Sequence, residues 1–404
     1  GDFMVMKNFA EKNPAAANTT GAILSGKNDS DLKRAVLYFF IYCPLGIICP
    51  LIGQYLSSIG FSGTQVGVVT SLGTGTAILA GLFWGKVYSN SSRKRMILAG
   101  MCLGAAAMGI VSMTTEVFAL YALVYSAMYF FQGPVYGVSD AFILSKSRRF
   151  SAIRATGAFG FAAAVFIAGQ YAESYGLKNI FYMYAATFAA AAVITLTESE
   201  PPYYKEENEK IRIGELFKNK KFVKLLISVF FLMGTSVANN TYFGYLFKEQ
   251  GGDVAGIGLA FLLMAGSEAP FMALTPKLSQ KLGSERLLLA AMFLTVARFG
   301  FYATGPSCTV LLSTFFLQGM TNGIILVEVV KYFGKIAGDR LSNMAISVFY
   351  AVGNNMSVIV CTFLGGVILD VAGPKTVYLF FALFNSIALI LFIALGMYKR
   401  EIKQ

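Results

Sequence analysis

Twelve apolar stretches, each long enough to cross a membrane, leave this 404-residue chain few folds to choose from. A hydrocarbon core holds no water, so a spanning segment must satisfy its own backbone N–H and C=O groups, and an apolar run does so as a helix. A core of about 30 Å takes about 20 such residues. The stretches lie at roughly 35–58, 64–88, 95–113, 117–145, 150–173, 178–196, 222–247, 254–276, 286–304, 307–331, 341–367 and 375–397. Only 13% of the residues are charged, against about 25% in a soluble protein. The expected fold is all-α, a polytopic membrane protein of twelve transmembrane helices.

The charges fall between the spans and alternate in sign bias. Bases cluster at Lys33-Arg34, Arg93-Lys94-Arg95, Lys146 to Arg149, Lys218 to Lys224, Lys277 to Arg286, Lys331 to Arg340 and Lys399 to Lys403. The intervening loops hold few, mainly Lys178, Lys248 and Lys375. Cytoplasmic loops carry the excess of Lys and Arg, so both termini are expected in the cytoplasm of a cell membrane protein. The net charge of +12 is spread over these loops, and no nucleic-acid-binding motif accompanies it. The chain has no histidine, which excludes a histidine proton relay and argues against a transition-metal site. Cys43, Cys49, Cys102, Cys308 and Cys361 are scattered through apolar runs and read as small buried hydrophobes. Without a phosphate loop, metal-ligand spacing or serine triad, an ATP-driven pump or an enzyme has no support.

Residues 198–221 (ESEPPYYKEENEKIRIGELFKNKK) are too polar to span. They divide the chain into a flexible tail (1–32, with no cleavable leader visible), a six-helix bundle (33–197), the cytoplasmic linker (198–221), a second six-helix bundle (222–398) and a short tail (399–404). The halves echo each other. Gly85-Lys86 and Arg93-Lys94-Arg95 follow the second span of the first half, and Lys277, Lys281-Leu282-Gly283 and Glu285-Arg286 follow that of the second. Two such repeats with a ligand site between them at mid-depth resemble the layout of major facilitator transporters.

Charges inside spans are costly and are by default functional-site hypotheses. Asp140 and Arg154 lie about equally far from the basic turn centred near Arg148, so they share one depth on antiparallel helices. They are candidate substrate anchors, or a structural clamp at a cytoplasmic gate. Glu268 and Arg298 lie 14 and 16 positions from Leu282, near the bilayer midplane. Glu268 is a candidate proton carrier, with Asp140 a second; the plainer alternative is a static Glu268–Arg298 ion pair. Glu328 and Lys331, three apart, read as a local ion pair, and Lys86 as a snorkelling base. Neutral polar groups add Asn239, Asn240, Gln318 and Asn322, the last two four apart on one helix face, as candidate substrate-binding residues or interhelical glue. With aromatic walls from Tyr38, Tyr42, Tyr129, Phe161 and Tyr242, such a cavity suits an uncharged, polyhydroxylated or heterocyclic solute.

The run Ser139-Asp140-Ala141-Phe142, the basic turn, and Ile153-Arg154-Ala155-Thr156-Gly157-Ala158-Phe159-Gly160-Phe161 resemble the span 4–5 hairpin of the oligosaccharide–proton symporters, the lactose permease group. The resemblance implies that Asp140 and Arg154 hold a sugar and that Phe161 stacks on it, in place of that group's tryptophan. The second half is similar to the nucleoside–proton symporters, through LFKNKKF at 216–222, Ser267-Glu268 with Pro276 following, and Ala297-Arg298-Phe299. There the acid matching Glu268 lies in the substrate site. Gln318 stands where the first group has its histidine relay, and Ala238 and Ala265 where the second has glutamines. The function implied is secondary active transport by alternating access: a monomer that takes up a sugar, oligosaccharide or nucleoside with a proton, using no cofactor beyond the proton gradient. An exporter or uniporter of metabolites or drugs, or a transport-inactive receptor of the same fold, are the alternatives.

Overall fold

The computed structural model describes residues 28–147, 149–201 and 214–397. The expected tails up to residue 27 and from residue 398, Arg148 at the basic turn, and linker residues 202–213 lie outside the described residues.

The first half comprises α1 (Asn28–Ser58), α2 (Gly63–Ser89), α3 (Lys94–Ser112), α4 (Phe118–Leu144), α5 (Phe150–Tyr175) and α6 (Ile180–Leu196). After a single turn at Gly214–Lys218 come α7 (Lys220–Glu249), α8 (Val254–Leu282), α9 (Ser284–Ala303) and α10 (Cys308–Gly338, with a hitch at Phe315). The apolar stretch Met344–Ala394 runs for 51 residues, too long for one crossing at 1.5 Å per residue. It doubles back at Gly373, whose φ of 78° suits glycine, and Pro374 then opens the next helix. A like reversal at Gly338 (φ 72°) separates it from α10. These breaks define α11 (339–372), which is π-helical over Phe349–Met356, and α12 (374–394). Among the described residues, ten helical stretches are long and apolar enough to span by length and composition alone. The divided stretch supplies one more, and α4, diluted by Tyr121, Tyr125, Tyr129 and Tyr136, is the twelfth.

Polar side chains set the starts of several helices. Asn219 caps α7 by accepting from the N–H groups of Lys221 and Phe222, and Asp253 caps α8 through Gly256. At the face bearing both ends of the described chain, where α1 begins and α12 stops, Glu198 just beyond α6 gathers Lys33 (3.6 Å), Arg34 (3.5 Å) and Lys146 (3.3 Å). Burial pulls the Lys146 ammonium below the usual lysine range, and Glu198 opposes that pull. This cluster ties α1 to the turn between α4 and α5, the helices that carry Asp140 and Arg154.

Glycines bring α1 and α5 together. A Cβ on Gly160 would lie 2.2 Å from the Phe39 carbonyl oxygen, and one on Gly46 would lie 2.4 Å from that of Phe161. Thr156 donates to the Ala35 carbonyl across the same seam at 2.7 Å. Gly160→Val is therefore expected to force these backbones apart and to destabilise the chain by about 1–3 kcal/mol. A thermal melt in detergent checks this, and an unchanged midpoint would show that the seam can yield.

The two bundles join at the face opposite the chain ends. Tyr245 of α7 donates to the Gly53 carbonyl of α1 (2.8 Å), and Glu173 of α5 accepts from the Val254 N–H of α8 (2.9 Å). A Cβ on Gly169 of α5 would come within 2.9 Å of Gly258 in α8. At the face bearing the ends, the halves are far enough apart that the Arg154 side chain is 56% exposed although it lies within a spanning helix.

Candidate functional site

The pair expected from its depth is formed. Arg154 Nη2 of α5 lies 3.6 Å from Asp140 Oδ2 of α4. The other carboxylate oxygen, Oδ1, accepts from the Tyr38 hydroxyl of α1. Tyr38 is fully buried, stacked on Tyr42 (ring centroids 5.9 Å apart) and met edge-on by Phe150 (6.3 Å). The carboxylate is thus held rigidly on one side and lightly on the other. A gap of 3.6 Å is longer than a good charge-assisted hydrogen bond, and Tyr42 takes a further hydrogen bond from the guanidinium, so not all of its five donors are engaged. From the second half, Tyr350 in the π-helical turn of α11 lies within electrostatic reach of Arg154. Phe161, two turns beyond Arg154, is half-buried against α1.

Glu268 and Arg298 share a depth but not a partner. Among the described residues, Glu268 has no ion pair or hydrogen bond, and the static pair with Arg298 is not formed. The glycines of α10 place Glu268: Gly319 and Gly323 let α10 approach the α8 backbone at Met264 and Glu268. Ser267 adds a hydrogen bond to the Phe316 carbonyl at 2.7 Å. Arg298 instead turns into the second bundle, 3% exposed, with its guanidinium over the rings of Phe299 (4.4 Å) and Tyr302 (5.4 Å). Its Nη1 donates to Gln318 Oε1 at 2.8 Å. The same oxygen accepts from Asn239 Nδ2 at 2.7 Å, and Asn239 Oδ1 accepts from the Tyr378 hydroxyl at 2.5 Å.

Asn239, Arg298 and Gln318 therefore form one buried network across α7, α9, α10 and α12, closed to a solute in this conformation. Among the described residues, Arg298 Nε and Nη2 have no hydrogen-bond partner, and neither does Asn240 Oδ1. Asn322 is half-buried, and among the described residues Gln318 bonds to Asn239, Arg298 and the Ser236 carbonyl rather than to it. Tyr242, expected in a cavity wall, is fully buried and donates to the Thr362 carbonyl. Glu328 and Lys331 pair at 3.9 Å, as their spacing predicts, while Lys331 also reaches Ser279 and Ser284.

Three participants escape sequence reasoning: Tyr350, Tyr378 and Tyr302. Tyrosines are frequent in this chain, 21 in all, and Tyr378 meets Asn239 across 139 positions, so no local pattern marks them. Among the described residues no group of three or more acids and cysteines could hold a metal ion.

Comparison with known proteins agrees with this architecture. The model of the MFS_1 like family matches residues 32–380. Maltose permease of Geobacillus stearothermophilus is 31% identical over 372 residues, spanning 91% of this chain and 94% of that protein. Multidrug resistance protein MdtG of Yersinia enterocolitica is 26% identical, spanning 74% and 77%. A crystal structure of the nucleoside transporter NupG superposes with a TM-score of 0.81 over 91% of this chain and 99% of that one, at 19% identity, a likeness of fold. A family match along most of the chain and a relative similar over nearly its whole length place the protein plainly: it belongs to the MFS_1-like family of major facilitator transporters.

Proposed function

We propose that this transporter takes up a neutral sugar or oligosaccharide together with a proton, by alternating access. The observation that carries this reading is the Asp140–Arg154 pair, open between the halves, with one carboxylate oxygen committed to Tyr38 and the guanidinium shared between Asp140 and Tyr42 with donors to spare. A sugar hydroxyl both donates and accepts, so it can bridge Asp140 Oδ2 and Arg154. An anionic solute would meet the Asp140 charge. Phe161 would offer an aromatic face, and Glu268 would carry the proton, with Asp140 as the second candidate. Asn239, Asn240, Arg298, Gln318 and Asn322 would join the site as the second bundle moves. The likeness to a maltose permease favours a sugar, whereas the likeness to NupG is one of fold alone.

The bias of Lys and Arg to alternate loops supports cytoplasmic termini in a cell membrane, which would make this conformation open to the cytoplasm. We take the protein to act as a monomer, with bundles at 33–197 and 222–398 joined by the linker 198–221.

Liposomes containing a pH dye test the reading. Acidification of the lumen on adding maltose or another saccharide outside is the expected result. A signal with nucleosides alone would replace the sugar reading with a nucleoside one. Counterflow of any solute without proton movement would overturn proton symport and favour a uniporter or exporter, the reading that the resemblance to MdtG would support.

A further inference from the structure

The first turn of a helix leaves backbone N–H groups without an intrahelical acceptor. At the start of α2 these donors are satisfied by two routes. Ser62 and Gln65 cap each other, with the Ser62 hydroxyl accepting from the Gln65 N–H at 3.2 Å and Gln65 Oε1 accepting from the Ser62 N–H at 3.0 Å. The two donors between them are taken by the other half of the molecule. Asp370, on the last turn of α11, accepts from the Gly63 N–H at 2.6 Å through Oδ1 and from the Thr64 N–H at 2.7 Å through Oδ2. Both bonds are charge-assisted and lie at the positive end of the α2 dipole.

This bridge closes a tight seam. A Cβ on Gly366 would lie 2.2 Å from the Gly63 carbonyl oxygen, and one on Gly67 would lie 2.7 Å from that of Thr362. Deeper in, Ser71 Oγ meets Thr362 Oγ1 at 2.8 Å and donates to the Ile359 carbonyl at 3.1 Å. With the backbones touching, Asp370 reaches both N–H groups; helices that part carry it out of reach of both. Asp370 is exposed, so water can replace it on the freed donors when they part. The Ser62 and Thr64 side chains also reach Asp370, but the reciprocal bonds between Ser62 and Gln65 are made within α2 and its flank and stay behind, so the helix keeps its first turn.

We propose that Asp370 is a releasable latch of the transport cycle. It holds shut the face opposite the chain ends and lets go each time that face opens to admit or release solute. This role lies outside the substrate site and does not depend on which solute is carried.

Spin labels at Thr114 and Ser307, exposed positions on the two halves at the latch face, report opening as a distance distribution. They are read in the full chain without solute, after the five native cysteines are replaced. Asp370→Asn keeps the size but loses the charge and one acceptor. It is expected to raise the ratio of open to closed molecules on the order of tenfold, the effect of losing such a bond. Asp370→Glu, which keeps the carboxylate, should fall between. Gln65→Ala removes the local cap and spares the latch, so it should leave the distribution as it was. Identical distributions in the parent and Asp370→Asn would overturn the proposal. Equal opening in Asp370→Asn and Gln65→Ala would overturn it too, because fraying of α2 would then be the cause. Asp370 lies on an exposed turn, so its replacement leaves no cavity, and the measurement needs no transport activity.

Discussion

Arg154→Lys is expected to lower kcat/KM for uptake on the order of a hundredfold, mainly through KM, with the melting temperature nearly unchanged. The loss follows from geometry rather than charge. Guanidinium offers five donors in a rigid planar fork, ammonium three on a point charge. At 3.6 Å, with one Nη toward Asp140 Oδ2, the fork can keep the carboxylate in range while its other edge faces a solute hydroxyl. A lysine at this position can serve one partner or the other. Losing one or two charge-assisted hydrogen bonds costs about 3 kcal/mol, or on the order of a hundredfold. The fold should tolerate the change because the side chain is 56% exposed and an exposed ion pair contributes about 0–1 kcal/mol. Uptake kinetics in proteoliposomes, with a melt of the same preparation, make the test. A large fall in melting temperature with KM preserved would sink the substrate role and return the pair to a structural clamp at the gate.

What could be read from the sequence was depth, and what could not was direction. Span limits come close because lipid enforces them: the expected 222–247 became Lys220–Glu249, and 117–145 became Phe118–Leu144. Helices run past the apolar windows where their ends reach the interface, as α10 does in extending to Gly338. Counting from the turn also placed Asp140 level with Arg154, and they meet. The same count placed Glu268 level with Arg298, and they do not. Each residue along a helix turns by about 100°, so a level pair faces one another only if both rotations agree. Arg298 points toward α10, where Gln318 receives it, and lies over the rings of Phe299 and Tyr302 on its own helix. Those partners are neutral, and neutral residues carry no complementary charge by which a pairing could be recognised in a linear chain. The Asp370 bridge was hidden for a related reason, because its partners are backbone N–H groups of residues 306 and 307 positions away.

The missing Glu268–Arg298 pair bears directly on coupling, and Glu268→Gln is the variant in which it should be felt most. Uphill accumulation driven by a proton gradient is expected to fall to the equilibrium level, while exchange of solute at equal concentrations persists within about threefold. A carboxylate locked to a guanidinium would stay ionised, and a proton arriving there would first have to break a strong bond. Glu268 is held in α8 by backbone approach to Gly319 and Gly323 and by no countercharge among the described residues. Protonation therefore changes the local charge by a full unit next to the α8–α10 contact, in a setting where charge is costly. Glutamine copies the protonated shape and cannot cycle, so solute should still move downhill and lose its tie to the proton. Counterflow and gradient-driven uptake in the same liposomes separate the outcomes. Loss of both would make Glu268 a solute ligand, whereas retention of both would pass the proton to Asp140, the second candidate, whose side chain is 28% exposed beside Arg154.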